Sequence, residues 1–147
     1  MKHFLITIII MSALLAGCSR APIRPDVEGF WKLKQFTLVS TGETVECSNL
    51  YYSITNVVTQ VSEREGSNGY GAYVSRTEYR DNETKLVLRD FKVSGGLTAD
   101  TGEDAPVEDL RHYGINSQEE TVFEIAECKG GKMTLRSDYA EIRLEKF

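Results

Sequence analysis

The chain has 147 residues, 17 Lys and Arg against 22 Asp and Glu, and a formal net charge of −5. That length suits one domain, and the acidic balance argues against a phosphate-binding surface, so no nucleic-acid partner is expected. The hydrophobic share of 41% and aromatic share of 10% exclude a disordered chain, because such a composition can bury a core.

Met1-Lys2-His3 is a short basic start, and Phe4 to Leu15 is a nearly unbroken apolar run. A dozen residues rising ~1.5 Å each fall short of a ~30 Å hydrocarbon core, so the run predicts a signal peptide over residues 1–17 rather than a membrane span. It ends in Leu15-Ala16-Gly17-Cys18, which resembles a bacterial lipobox. That resemblance implies cleavage before Cys18 and the attachment of several acyl chains to it. Several acyl chains anchor stably where one is marginal. In such lipoproteins Asp after the cysteine retains the protein at the inner membrane. Ser19 stands there, and no acidic run follows, which implies an outer-membrane anchor facing the periplasm. Residues 18–27, with Pro22 and Pro25, read as a stiff, extended tether.

Two cysteines remain, Cys47 and Cys128. An exported chain with two cysteines predicts one disulfide, whose closure of about 80 residues is worth about 4.5 kcal/mol in the loop-entropy model. Two free, buried thiols are the alternative.

The body, residues 28–147, reads as an all-β meander. The first strand runs from Gly29 to about Val39. Trp31 and Leu33 share one face; Phe30, Phe36 and Leu38 share the other with Lys32 and Lys34. Leu50 to Glu65 is rich in strand formers and is divided at Asn56. Tyr70 to Arg80 alternates Tyr73, Ser75, Thr77 and Tyr79 on one face. Lys85 to Val93 switches phase near Asp90, which predicts a bulge. Gly95 to Ala105 reads as a loop, and Pro106 to Tyr113 as a short helix stopped by Gly114. Strands resume at Glu120 to Cys128, turn at Lys129-Gly130-Gly131, and finish through Met133, Leu135, Ile142 and Leu144. Short connections favour antiparallel neighbours, so the seven to nine strands, about eight, predict a barrel or a sandwich.

Gly29-x-Trp31 on the first strand resembles the opening motif of lipocalins and the wider calycin group. The stretch from Leu110 through Tyr113-Gly114-Ile115-Asn116, Phe123-Glu124-Ile125 and Met133-Thr134-Leu135-Arg136-Ser137 is similar to small lipocalin-like lipoproteins of Gram-negative gut bacteria, most of them of unknown function. The resemblance spans about Glu28 to Phe147. It implies a β-barrel and a basic side chain from the last strand stacked over the motif Trp. Arg143 alternates out of phase with Ile142 and Leu144, whereas Lys146 has the right phase near the chain end.

Trp31, Tyr52, Tyr73 and Tyr79 are the candidate ligand-lining residues, since tyrosine hydroxyls among aliphatic side chains suit an amphipathic molecule. The alternative is that they are core. An eight-stranded barrel is only just wide enough to be filled by its own side chains or to hold one small ligand. The acidic stretch Asp100 to Asp109 lacks the spacing of a calcium loop, and no catalytic motif, metal site or cofactor-binding motif is found. No enzymatic activity is expected. Two readings follow: a binder of a small hydrophobic or amphipathic ligand, or a packed barrel that docks onto or inhibits another envelope protein. A connected interior void favours the first; a core at ordinary density favours the second.

Overall fold

The computed structural model describes residues 21–66, 68–95 and 100–147. The signal segment, the lipobox and the expected acylation site Cys18 lie outside them.

Among the described residues ten strands form one antiparallel sheet: β1 (Gly29–Leu38), β2 (Thr44–Glu46), β3 (Leu50–Ile54), β4 (Val58–Glu63), β5 (Ala72–Arg80), β6 (Lys85–Ser94), β7 (Asp100–Asp104), β8 (Glu120–Lys129), β9 (Lys132–Arg136) and β10 (Ala140–Lys146). Eight of them, β1, β3, β4, β5, β6, β8, β9 and β10, follow one another around a ring that β10 closes onto β1. The expected barrel is therefore present. The two further strands lie off the ring, β2 alongside the second half of β1 and β7 alongside the end of β6. A short helix, α1 (Val107–Leu110), runs into a 3-10 turn at Arg111–Tyr113, just ahead of the last three strands.

Alternation places Leu86 and Leu88 inside on β6, and then Phe91 after an extra residue. The extra residue is Asp90, with φ +54, where the pairing with β5 slips by one. That is the predicted bulge, and it is also where β6 leaves β8 and turns to β7. A second bulge, at Lys34 in β1, was not expected. Leu33 pairs with Leu144 and Gln35 with Arg143, so Lys34 is the inserted residue. The slip rotates Phe36 inward beside Trp31 and Leu33, against its expected placement on the outer face. Asp100–Asp104, read as loop, is strand β7. All five of its residues are exposed, so it carries no alternation for a sequence reading to detect.

The two ends of the barrel are closed differently. At the floor, Arg24 to Glu28 folds into a turn, with the Val27 and Glu28 amides donating to the Arg24 carbonyl. The stretch read as extended tether is thus folded from Arg24 onward. Val27 is fully buried and its carbonyl accepts from the Trp31 indole at 2.7 Å. Lys146 Nζ lies 4.6 Å from the centroid of the Trp31 ring and donates to the Glu28 carbonyl at 3.0 Å. The basic cap that the Gly-x-Trp resemblance implies is therefore Lys146. Gly29 explains the first letter of that motif. Its φ is +143, and a Cβ there would fall 2.4 Å from Lys146 Nζ. Only glycine admits both the backbone and the cap.

The expected disulfide is absent: Cys47 and Cys128 are free thiols. The reason is topological. Cys47 follows β2 near the mouth, and its amide donates to the Lys34 carbonyl of β1. Cys128 sits at the floor end of β8, its thiol donating to the Asp26 carbonyl at 3.2 Å. Between them lie the β2–β1, β1–β10, β10–β9 and β9–β8 ladders. At about 4.8 Å per ladder, no disulfide spans that separation.

Candidate functional site

Alternation brings the predicted tyrosines to the inside, as expected from their spacing, but each has a structural partner. Tyr52 is fully buried and its hydroxyl donates to the carbonyl of Tyr113. The Tyr113 ring is itself fully buried, and its hydroxyl donates to the Gly71 carbonyl. Tyr73 Oη donates to Asp109 Oδ2 at 2.8 Å, and its ring meets that of Tyr113 edge to face at 6.4 Å. At the floor end, Tyr79 Oη faces Glu28 Oε2 at 3.4 Å. Tyr52 and Tyr73 are thus spent on fastening the α1 segment over the mouth, and Tyr79 on the floor turn. Trp31 packs under its lysine.

The interior is full. Leu33, Tyr52, Val61, Leu86, Phe91, Phe123, Leu135 and Ile142 all have 0% exposure, so none of them borders a space large enough for one water molecule. Leu110, Tyr113 and Ile115, from the lid and the residues after it, close the mouth with 0% exposure as well. Trp31 and Tyr52 therefore do not line a ligand cavity in this structure, because the volume a ligand would take is occupied by lid side chains.

Gly114 sets the lid in place. Its φ is +78, and a Cβ would lie 2.7 Å from Ile142 Cγ2 and 3.3 Å from Phe36 Cγ. The turn after the helix can pack this tightly on the barrel only with glycine there.

Burial holds the latch hydroxyl in its protonated form to higher pH. The Tyr73 hydroxyl is pushed up to about 12, by loss of water first and then by its bond to Asp109 and that carboxylate's charge. An unfolded tyrosine ionises near 10. This contribution to stability is complete below pH 10 and is lost as pH rises from 10 to about 12. The melting temperature should fall over that window, and Tyr73→Phe should flatten part of the fall. A wild-type melting temperature that stays level from about pH 9 to about pH 11.5 would contradict the latch.

One hollow at the mouth has the chemistry of a binding site. It measures about 430 Å³ and lies beside the lid. Phe36, Leu38, Val45, Leu50, Tyr70 and Tyr139 supply apolar and aromatic surface, and Arg111 and His112 of the 3-10 turn stand over it. His112 stacks on Tyr70 with ring centres 3.7 Å apart and planes 9° off parallel. The Arg111 guanidinium donates to the Asn116 amide oxygen at 2.8 Å and has no carboxylate partner among the described residues. Cys47 also lines the hollow. Burial, with the nearby Glu46 charge, pushes its thiol up to about 11, so it stays protonated at neutral pH and is a poor nucleophile. Two larger hollows, of about 580 and 500 Å³, lie along the outer wall and are lined mainly by charged and polar side chains.

None of the four candidate lining residues, Trp31, Tyr52, Tyr73 and Tyr79, borders this hollow. The stretch around Tyr113-Gly114-Ile115-Asn116 marked the neighbourhood, but the hollow is assembled from β1, β2, β3, the segment before β5 and the residue before β10. Those pieces meet only in the folded barrel.

Two solved structures share this architecture. A lipocalin-like protein from Bacteroides uniformis ATCC 8492 superposes with a TM-score of 0.59 at 11% identity, over 83% of this chain and 99% of that one. An uncharacterized protein from Bacteroides eggerthii DSM 20697 superposes with a TM-score of 0.57 at 15% identity, over 82% of this chain and 98% of that one. No curated protein matches the sequence. The sequence pattern of the lipocalin-like domain matches residues 13–147, nearly the whole chain, and the protein belongs to that family.

Proposed function

We propose that the protein is an outer-membrane lipoprotein, facing the periplasm, that binds a small amphipathic molecule in the hollow at the mouth of its barrel rather than in the barrel itself. The observation that carries this reading is the pairing of an aromatic and aliphatic floor with the unpaired Arg111 cation, in a hollow of about 430 Å³. Small-ligand sites have this size, and the lining here is divided about evenly between apolar groups and the polar ones of Glu46, Ser48, Asn68, Arg111 and His112. A ligand with an apolar body would lie on Phe36, Leu38 and Tyr70, with an anionic end towards Arg111. Binding rather than catalysis is proposed, since the hollow's one thiol is held in its unreactive form. The anchor rests on the lipobox at Leu15 to Cys18.

The full interior favours a second reading, in which the barrel is a rigid body that docks onto or inhibits another envelope protein.

The test is native mass spectrometry of the lipoprotein extracted from the cell envelope. A retained small molecule is expected, lost from the Tyr70→Ala/Arg111→Ala variant and kept by Val122→Ser on the outer wall. Absence of any adduct, or an adduct indifferent to the mouth substitutions, overturns the mouth site.

A further inference from the structure

Most of the exposed large hydrophobic residues among those described lie towards the floor of the barrel. There are six, and four of them, Ile23, Val57, Val58 and Phe147, lie at that end. The pairing geometry puts them together. Gly29 at the start of β1 pairs with Ile54, just before the β3–β4 turn that holds Val57, and the Phe147 amide donates to the Phe30 carbonyl. Phe147 is 75% exposed and rests edge-on against Phe30 and Tyr51 of the outer wall. The hairpin carrying Lys129 and Lys132 lies alongside, because the Lys146 amide donates to the Gly131 carbonyl. Both lysines are exposed and neither has an ion-pair partner among the described residues.

The N-terminal segment leaves the barrel at this same end. The Ala21 carbonyl accepts from Asn56 Nδ2 at 2.9 Å, which ties the chain to the β3–β4 turn. Cys18 is three residues earlier, and three trans peptide units span at most ~11 Å. An acylated Cys18 would therefore hold the membrane surface within ~11 Å of Ala21, too short a leash for the barrel to stand clear of the lipid.

We infer that the floor of the barrel, through Ile23, Val57, Val58 and Phe147 with Lys129 and Lys132, docks on the lipid leaflet that holds the protein's own acyl chains. The inference rests on the reading of Cys18 as the acylated residue. Apolar side chains enter the headgroup boundary, and the lysines meet lipid phosphates. The acidic groups of the floor do not oppose this uniformly. Asp26 is paired with Arg24 at 2.6 Å and Asp81 with Lys85 at 2.8 Å, while Glu28 accepts from the Arg24 amide. Glu83 is exposed and unpaired, so the lysine side of the floor should lie deepest. Docked this way, the mouth and its hollow point away from the membrane.

The test uses the full lipidated chain in a Cys47→Ser/Cys128→Ser background, reconstituted into phosphatidylethanolamine–phosphatidylglycerol vesicles. An environment-sensitive dye is placed at Val57→Cys, at Phe147→Cys, or at Val39→Cys, which is 60% exposed at the mouth end. Vesicles carry a quencher at the level of the lipid headgroups. Protein should float with the vesicles, with dye at positions 57 and 147 blue-shifted and quenched several-fold more than dye at position 39. Adding Ile23→Asp to the Phe147→Cys protein should leave flotation intact and reduce that quenching. Flotation with equal quenching at all three positions overturns the docking and leaves the anchor standing. Failure to float overturns the anchor and the docking with it. A blue shift at position 57 that grows with protein concentration in detergent, without vesicles, assigns the face to a second copy and overturns the lipid assignment.

Discussion

Replacing Trp31 with Ala should lower the denaturation midpoint of the protein sharply. The ring is 1% exposed, and truncating a buried Trp typically costs ~3–5 kcal/mol. A domain of this size usually has only ~5–15 kcal/mol of stability. The substitution also removes the aromatic partner of Lys146 Nζ and leaves the Val27 carbonyl without the indole donor, so the floor turn loosens with the core. Lys32, the next residue, points to the outer wall across from Tyr51, and Lys32→Ala should change stability by less than about 0.5 kcal/mol. Guanidinium unfolding of both variants checks the facing of β1. Equal effects would mean that the strand does not present Trp31 inward.

That facing was readable because the pleat is local. Trp31 and Leu33, Leu86 and Leu88, and Ile142 and Leu144 alternate over two residues, and each pair is buried. The bulge at Asp90 was readable by the same rule, since Leu88 and Phe91 are three apart. Leu33 and Phe36 carry the same signal, and the bulge at Lys34 could have been found from it. There the apolar neighbours Phe30 and Leu38 made a second, outward face look continuous. Cysteine counting failed for a different reason. It registers export and parity but not which end of the barrel each residue reaches, and Cys47 and Cys128 are at opposite ends. The inward tyrosines were identified by alternation, yet their role was set by Tyr113, Gly71 and Asp109. Tyr52 is 61 residues from Tyr113, and Tyr73 is 36 from Asp109. Nothing in a local pattern announces that the short segment Val107–Tyr113 folds back as a plug.

Tyr113→Ala should be the most disruptive change at the other end of the molecule, and its effects should differ in kind from those of Trp31→Ala. Tyr113 is fully buried and donates its hydroxyl to Gly71, while its carbonyl accepts from Tyr52. Losing a buried aromatic ring should cost ~3–5 kcal/mol, and the Gly71 carbonyl loses its donor as well. Tyr113→Phe keeps the ring and should cost only about 1 kcal/mol. The Ala variant leaves a gap beneath α1, beside the Tyr73 ring. Leu110, Ile115, the Tyr73–Asp109 bond, the His112–Tyr70 stack and the bond from Tyr52 to the residue-113 carbonyl would still hold the lid, but without the ring that packs beneath it. Amide exchange through residues 107–115 should quicken far more than in the floor strands, whereas Trp31→Ala should loosen the floor turn first. The gap should also admit a small apolar probe such as benzene, because voids lined by aliphatic and aromatic side chains stay dry and take such molecules. Wild-type protein, with that space filled, should not bind it. If Tyr113→Ala unfolds at the wild-type midpoint, or exchanges its lid amides at the wild-type rate, then Tyr113 is not the plug and the barrel is held shut by other contacts.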